Sequence, residues 1–93
     1  MNKYETIIIL KPTLAEEEIK NSIQKIKDLI NENGKVTATE EWGMRKLAFP
    51  VQKFNEGYYT DIYFSSDFEF IDELLKFYNE SENIIKYIVS KKD

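Results

Sequence analysis

Apolar residues along this chain follow two spacings, one typical of strands and one typical of helices. Segments rich in β-branched and aromatic residues predict strands at residues 4–10, 35–47, 58–64 and 84–89. Gly43 interrupts the second segment, and a glycine inside a strand indicates a β-bulge or a bend. Phe49-Pro50 and residues 55–57 are predicted to flank a hairpin connection, and residues 91–93 are predicted to form a frayed tail.

Two further segments carry apolar residues at helical spacing. The first places isoleucines at spacings of four, three and four, which is one face of a helix: Ile19, Ile23, Ile26 and Ile30. The second has its apolar face at Ile71, Leu74, Leu75 and Tyr78. Thr13 with Glu16, and Ser66 with Glu69, predict a capping box at the start of each helix. Gly34 is predicted to end the first helix in the left-handed conformation.

The predicted element order is βαββαβ, which is the order of a ferredoxin-like α+β sandwich. Right-handed crossovers place both helices on one face of a four-stranded antiparallel sheet, with strand order 4-1-3-2. Residues 1–93 are predicted to form one such domain. The core between sheet and helices is predicted to hold Thr6, Ile8, Leu10, Ile62 and Phe64.

Two acidic residues decide which side chains of the central strands point away from the helices. Burying Asp61 or Glu5 against the helices without a partner is costly, and side chains alternate along a strand. The helix-free side of the sheet, called the open face here, is therefore predicted to carry a patch of Ile7, Ile9, Tyr59 and Tyr63. Such a patch is typical of an interaction surface; the alternative is that these residues only support the sheet as cross-strand neighbours.

The composition indicates a globular protein and excludes several kinds of chemistry. The chain is 42% hydrophobic and 32% charged, and it contains no Cys and no His. Disulfides, thiolate metal sites and catalysis by Cys or His are therefore excluded. Residues 7–10 are too short for a signal-peptide core or a membrane span, so we expect a cytoplasmic protein. No metal or other cofactor is predicted. The candidate acidic runs are residues 16–18 and 40–41, and the first is the start of a helix, where consecutive side chains point in different directions.

Enzymatic activity is not predicted. The serines have no His to activate them, and the glycines are too scattered to form a phosphate-binding loop. An acylphosphatase-like enzyme of the same topology would need an arginine in the loop after the first strand, where the chain has Lys11-Pro12-Thr13. A small-molecule regulatory module would usually need a glycine in that loop. The RNA-recognition motif also fits poorly, because Glu56 replaces its leading cation, which leaves Tyr59 and Tyr63 as weak stacking candidates.

The segment after the first helix resembles a known family signature. Residues 42–51, WGMRKLAFPV, are followed by Lys53 and by Gly57-Tyr58, and the chain opens with Tyr4-Glu5 and Leu10-Lys11-Pro12. This combination resembles the bacterial small-subunit ribosomal protein six family, and the resemblance spans the whole chain. Phe49 stands where that family commonly has Tyr, and Trp42 stands where it commonly has an aliphatic residue.

The resemblance implies a structural role in the small ribosomal subunit. Members lie on the platform of its central domain, where they bind 16S ribosomal RNA together with ribosomal protein eighteen, a small basic protein. The formal charge of this chain is −4, so its RNA affinity alone should be poor. An acidic protein paired with a basic one is consistent with electrostatic steering, the partner supplying most of the phosphate neutralisation.

Candidate contact residues follow partly from this resemblance and partly from the predicted positions of residues on the sheet. Arg45 and Lys46 match the family's basic pair and are the first candidates for phosphate contacts; the alternative is an ion pair with Glu40, Glu41 or Asp61. Secondary RNA candidates at strand ends or on the rim are Lys3, Lys53 and Lys86. The partner-binding candidates are the patch residues Ile7, Ile9, Tyr59 and Tyr63 with Trp42 and Met44, although Trp42 could instead be buried in the core.

Overall fold

Four strands and two helices follow one another with short connections in the computed structural model, which describes residues 1–92. They are β1 (Asn2–Leu10), α1 (Glu16–Asn33), β2 (Gly34–Val51), β3 (Phe54–Ser66), α2 (Glu69–Glu80) and β4 (Ile84–Lys91). The strands form one antiparallel sheet in the order β2-β3-β1-β4, which is the predicted 4-1-3-2 order read from the other edge. The ferredoxin-like fold is therefore confirmed. Neither helix is long and apolar enough to cross a membrane, as far as residues 1–92 are concerned.

The core lies between the sheet and the two helices, as predicted. The predicted residues of β1 and β3 are all buried, and so are the four isoleucines of α1. Phe70 was missing from the prediction and is buried, whereas Ile71 and Leu75 are only partly buried. The buried hydroxyl of Thr6 donates to the carbonyl of Ile88 (3.0 Å) and lies 3.1 Å from the Tyr78 hydroxyl, which donates to it in turn. This pairing satisfies both hydroxyls inside the core.

Both helices begin later than the capping signals indicated. Ala15 is the N-cap of α1, and its N–H donates to the Glu18 carboxylate (3.1 Å), so the predicted Thr13 box is wrong. Ser66 is the last residue of β3 and caps no helix, so the second box is also wrong. Gly34 has φ −170°, an extended value, and begins β2. A side chain there would collide with the backbone of Ser65, which explains the glycine better than the predicted left-handed cap.

The hairpin between β2 and β3 is longer than predicted. The two strands meet at a two-residue turn, Gln52-Lys53, where both residues have positive φ (52° and 71°). Positive φ at both central residues is characteristic of a type I′ turn, which normally contains Asn and Gly. Gln52 and Lys53 are neither, so these two residues did not predict a turn. Pro50 is accommodated because β2 is an edge strand and the β2–β3 register shifts between Lys46 and Val51.

The predicted irregularity at Gly43 is confirmed as a β-bulge. Glu41 pairs with Thr60 and Gly43 pairs with Tyr59, so Trp42 is an extra residue on β2. Gly43 has φ +82°, a conformation that other residues adopt only with strain. The bulge allows Trp42 and Arg45 to lie on the same side of the sheet.

Candidate RNA and partner-binding surface

The open face is built by alternate residues of all four strands. Cross-strand pairing places Glu40 of β2 beside Asp61 of β3, and Asp61 in turn beside Ile7 of β1. The neighbouring rows carry the other predicted patch residues. Tyr63 lies opposite Glu5, and Tyr59 lies opposite Ile9.

An aromatic and cationic stack occupies the β2 side of this face. The rings of Trp42 and Tyr59 are stacked, with centroids 6.2 Å apart and planes 18° from parallel. The guanidinium carbon of Arg45 lies 5.5 Å from the Trp42 ring centroid, and its Nε donates to the Trp42 carbonyl (3.4 Å). These contacts hold Arg45 in place while leaving its side chain exposed. Trp42 is half-buried on the open face and is not part of the core.

Lys46 lies on the other side of β2 from Arg45. It pairs with Glu56 in the β2–β3 ladder and lines a groove at the turn end of the hairpin together with Lys53 and Pro12. Both lysines are exposed. Within the described part of the chain, neither Arg45 nor Lys46 forms an ion pair. The alternative of a cross-strand salt bridge with Glu40, Glu41 or Asp61 is therefore not realised.

The remaining predicted RNA-binding lysines lie at opposite ends of the open face. Lys3 pairs with Ser65 near the end of β1, and Lys86 pairs with Ile9 on the edge strand β4. Both are exposed. The structure therefore separates them from each other and from Lys46 and Lys53.

The predicted apolar patch is less exposed than expected. Ile9 is only 6% exposed, because it packs onto Gly57, whose missing side chain leaves room for it. Ile7, Tyr59 and Tyr63 are half-buried. The sequence could not show this, because the close approach of Ile9 to Gly57 depends on strand register.

Met44 does not share a surface with the other predicted partner-binding residues. It pairs with Tyr58 and lines a groove with Leu14 and Ile19 of the helical layer. Its side chain is 45% exposed on that side. Ile88 of β4 is an exposed apolar residue on the open face, opposite Ile7. It was not predicted, because the sequence was not used to assign the side chains of residues 84–89 to either face of the sheet.

Three carboxylates lie together on the open face, those of Glu5, Glu40 and Asp61, and the sequence did not predict this cluster. Asp61 lies on the predicted face, yet it is only 1% exposed. Burial first, and then contact with Glu5 and the charge of Glu40, together raise its pKa to about 6. Glu5 is held by the Lys92 ammonium at 2.9 Å, which lowers the Glu5 pKa. Lys92 also donates its backbone N–H to the Lys3 carbonyl, so the predicted fraying does not extend to this residue; Asp93 lies outside the described residues.

Carboxylates also raise the pKa of two tyrosines, one on each side of the sheet. Hydrogen bonding with Glu5, more than burial, raises the pKa of Tyr63 to about 12. On the helical side, the Tyr58 hydroxyl donates to Glu41 (2.7 Å), which raises the pKa of Tyr58 to about 12. Both phenols therefore remain protonated hydrogen-bond donors at neutral pH.

The position of the arginine does not support the alternative of an acylphosphatase-like enzyme. Arg45 is the single arginine of the chain and lies on β2, whereas the loop after β1 carries Lys11. In residues 1–92, no three acidic side chains are placed to hold a metal ion.

Comparison with known sequences identifies related proteins along the whole chain. The profile of the family described as Ribosomal protein S6 matches residues 3–91. A small ribosomal subunit protein bS6 of Nitratiruptor sp. is 44% identical over 98% of this chain and 72% of that protein. The bS6 of Thermoanaerobacter pseudethanolicus is 43% identical over 100% of this chain and 99% of its own length. A bS6 of Clostridium perfringens is 44% identical with the same coverage, 100% and 99%.

Comparison with solved structures agrees with the sequence comparison. The crystal structure of 30S ribosomal protein S6 from Thermotoga maritima superposes with a TM-score of 0.94 at 39% identity, covering 98% of this chain and 87% of that one. An Arabidopsis thaliana protein superposes with a TM-score of 0.58 at 15% identity, covering 100% of this chain and 94% of that one. The second likeness concerns the fold alone.

Proposed function

Because this chain belongs to the ribosomal protein S6 family, we propose that it binds 16S ribosomal RNA together with ribosomal protein eighteen in the central domain of the small subunit. Family membership makes the chain a structural constituent of the small subunit of the cytoplasmic ribosome. The family is one of structural proteins and not of enzymes. The two binding partners and the residues that contact them are our proposal.

The proposed RNA contact is the exposed basic margin around the β2–β3 hairpin. Arg45 and Lys46 leave β2 on opposite sides, so together they can hold a phosphate backbone that crosses the edge of the sheet. One observation carries this assignment: both side chains are exposed, and neither has a carboxylate partner within residues 1–92. An unpaired surface cation is available to replace the counterions of a phosphate.

Three lysines extend the proposed RNA contact. Lys53 is at the tip of the hairpin, in the same groove as Lys46, and we place it in the same phosphate contact. Lys3 and Lys86 would meet RNA only at the two ends of the open face. We therefore propose them as secondary contacts, reached by nucleotides that flank the main site.

The proposed surface for ribosomal protein eighteen is the open face. It carries Ile7, Tyr59 and Tyr63 in half-buried positions and Trp42 at its β2 side, and Ile9 is buried on the same face against Gly57. Its central carboxylates favour a basic partner over RNA. Met44 lies outside this face and would contact the partner only if the partner wraps around the β2 edge.

A double substitution tests the RNA contact. We expect Arg45→Ala with Lys46→Ala to weaken binding of the heterodimer to a 16S central-domain fragment and to reduce the log–log salt slope by about two, one for each lost phosphate contact. The measurement is a filter-binding titration between low and moderate salt. Lys25→Ala with Lys76→Ala, both exposed on the helices, is the matched control. A slope equal to that of the control would show that Arg45 and Lys46 do not touch phosphate.

A further inference from the structure

One oxygen of a buried carboxylate on the open face lacks a hydrogen-bond donor within residues 1–92. Asp61 is 1% exposed, and its Oδ1 has no hydrogen-bond partner among the residues that the structure describes. Leaving a buried charged acceptor unpaired is costly, so such a group calls for an explanation, such as a water, an ion or a partner that supplies the donor. The Asp61 side chain points away from the helical layer, because its neighbours Thr60 and Ile62 belong to the buried helix side.

The groups around Asp61 are mostly negative. Glu40 of β2 is its cross-strand neighbour and Glu5 of β1 contacts it, whereas hydrogen bonding with the Tyr63 hydroxyl partly offsets the rise in the Asp61 pKa. Lys92, which follows β4, reaches Glu5 at 2.9 Å, and Lys3 lies two residues before Glu5 on the same face of β1. A proton shared between Asp61 and Glu5 relieves the repulsion in acid, but at neutral pH Oδ1 still has no donor.

Lys92 shows that this site accepts a cation. Its side chain is 48% exposed, so it lies over the cluster without being enclosed. Its backbone is anchored to the Lys3 carbonyl at 2.8 Å, which fixes where the ammonium can reach. Because it bonds to Glu5 and leaves Asp61 Oδ1 unpaired, the cluster can hold a second cation or exchange Lys92 for another.

Apolar side chains flank the carboxylates on the β1–β4 side. Ile7 is the neighbour of Asp61, and Ile88, opposite Ile7 on β4, is 50% exposed. A long side chain with an apolar stem and a charged end fits this arrangement, since the stem can pack on the isoleucines while its end reaches the carboxylates. Arginine suits the site better than lysine, because its guanidinium is weakly hydrated and offers several donors in one plane.

We propose that the Asp61–Glu5 pair is the docking site for an arginine side chain of the basic protein partner, which displaces Lys92 and supplies the missing donor to Asp61. This inference rests on the proposed function, because the partner is the protein assigned there to the open face. RNA is the disfavoured occupant, since its phosphates would be repelled by Glu5, Glu40 and Asp61.

Docking of a cation makes partner binding depend on pH. The pKa of Asp61 is raised to about 6 in the free protein, and a bound guanidinium lowers it. Binding therefore releases a proton below about pH 6, and affinity falls as the solution becomes more acidic. We expect about a tenfold loss of affinity from pH 7 to pH 5 from this group alone.

Isosteric substitution tests the assignment directly. Calorimetric titration with ribosomal protein eighteen from the same genome should show that Asp61→Asn binds at least about tenfold more weakly than wild type at pH 7. This variant should also lose the tenfold pH dependence. Glu73→Gln, which removes one charge from the exposed side of α2, is the matched control and should bind like wild type.

A second variant changes affinity in the opposite direction. Lys92→Ala keeps the backbone bond to Lys3 but removes the competing ammonium, so we expect about two- to fivefold tighter partner binding. A purely structural role for the Glu5–Lys92 pair would not produce a gain. Circular dichroism at each pH verifies that both variants are folded.

The outcomes separate the two hypotheses. If wild type does not bind the partner at all, both the proposed function and this site are wrong. If wild type binds and Asp61→Asn binds equally well with the same pH dependence, only this site is wrong. If Asp61→Asn changes the affinity for a 16S RNA fragment and not for the protein, the occupant is RNA and the assignment to a protein partner is overturned.

Discussion

Single residues decide how tightly the open face can pack, and Gly57 is the plainest case. A Cβ at Gly57 would overlap Ile9 Cγ2 and lie 3.1 Å from the Leu10 carbonyl oxygen. Ile9 occupies the space that the glycine leaves empty, which is why it is buried on a face without helices. The glycine of the family signature therefore has a steric reason here that is independent of backbone conformation.

We predict that Gly57→Ala lowers the free energy of unfolding by about 1 to 3 kcal/mol, the usual cost of overpacking. Adding Ile9→Leu removes the Cγ2 methyl and should recover part of this loss, although Ile9→Leu alone is mildly destabilising. Urea unfolding of the two single variants and the double variant measures the coupling. Strictly additive effects would contradict a clash between these two residues.

Asp61 gives the second residue-level prediction, which concerns stability. Its pKa is raised from 3.8 to about 6 by burial first, so the folded state binds this proton more tightly than the unfolded chain does. Stability from this group is therefore present below about pH 4 and is lost as the pH rises through 6. An asparagine at this position carries no charge at any pH, so the variant does not lose this stability as the pH rises.

We accordingly expect Asp61→Asn to be more stable than wild type by about 1 to 2 kcal/mol at pH 7.5. This is less than the free energy that corresponds to the whole pKa shift, because solvent screens the neighbouring charges. The difference should nearly vanish at pH 4. Urea unfolding at both pH values measures it, with Glu73→Gln as the exposed control. A variant less stable than wild type at pH 7.5 would show that the carboxylate has a stabilising partner in the fold.

Among the elements, the β2–β3 hairpin combines long strands with an unfavourable turn. The turn residues Gln52 and Lys53 both have positive φ, which costs free energy for residues with a Cβ. The length of the paired strands on either side explains why this turn is nevertheless adopted. The hairpin also positions Arg45, Lys46 and Lys53, so its geometry matters for the proposed RNA contact.

Replacing the turn by Gln52→Asn with Lys53→Gly should stabilise the protein by about 1 kcal/mol, because Asn-Gly suits a type I′ turn. Thermal unfolding measures the gain. Lys53→Ala, which keeps the strain and removes the charge, is the comparison for any effect on RNA binding. A lower melting temperature for the Asn-Gly variant would mean that the turn is not of type I′.

At the scale of the whole molecule, charge is divided between regions. The net charge is −4, with carboxylates at the centre of the open face and, as far as residues 1–92 show, cations without carboxylate partners at the β2 edge. One protein can therefore present an acidic surface to a basic protein and a basic margin to RNA. Opposite potentials on separate surfaces favour assembly with both partners in one complex.

We predict that the isolated chain binds a 16S central-domain fragment only weakly at physiological salt, with a Kd in the range of about 10⁻⁴ to 10⁻⁶ M that is typical of non-specific binding. With ribosomal protein eighteen present, binding should tighten by at least about a hundredfold. Gel-shift titrations with and without the partner test this. Equal affinities in the two titrations would show that the acidic chain recognises RNA without help.

The sequence alone determined the element order, the strand order and the helix-facing core, because hydrophobic periodicity depends on local geometry that every strand and helix shares. It also located the irregularity at Gly43, which the structure shows to be a bulge, and it identified the family, since the segment 42–51 carries both signals. The helix starts were misjudged, because capping residues such as Thr13 and Ser66 are common outside caps.

Only the tertiary structure decided which open-face residues are exposed and which groups meet. The burial of Ile9 on Gly57, the stack of Arg45 on Trp42 and the unpaired Asp61 beside Glu5 all join residues from different strands or across a bulge. Register, and not composition, sets these distances, and a shift of one residue turns every side chain to the other face. Contacts between strands are therefore a property of the assembled sheet, which no single segment of the chain encodes.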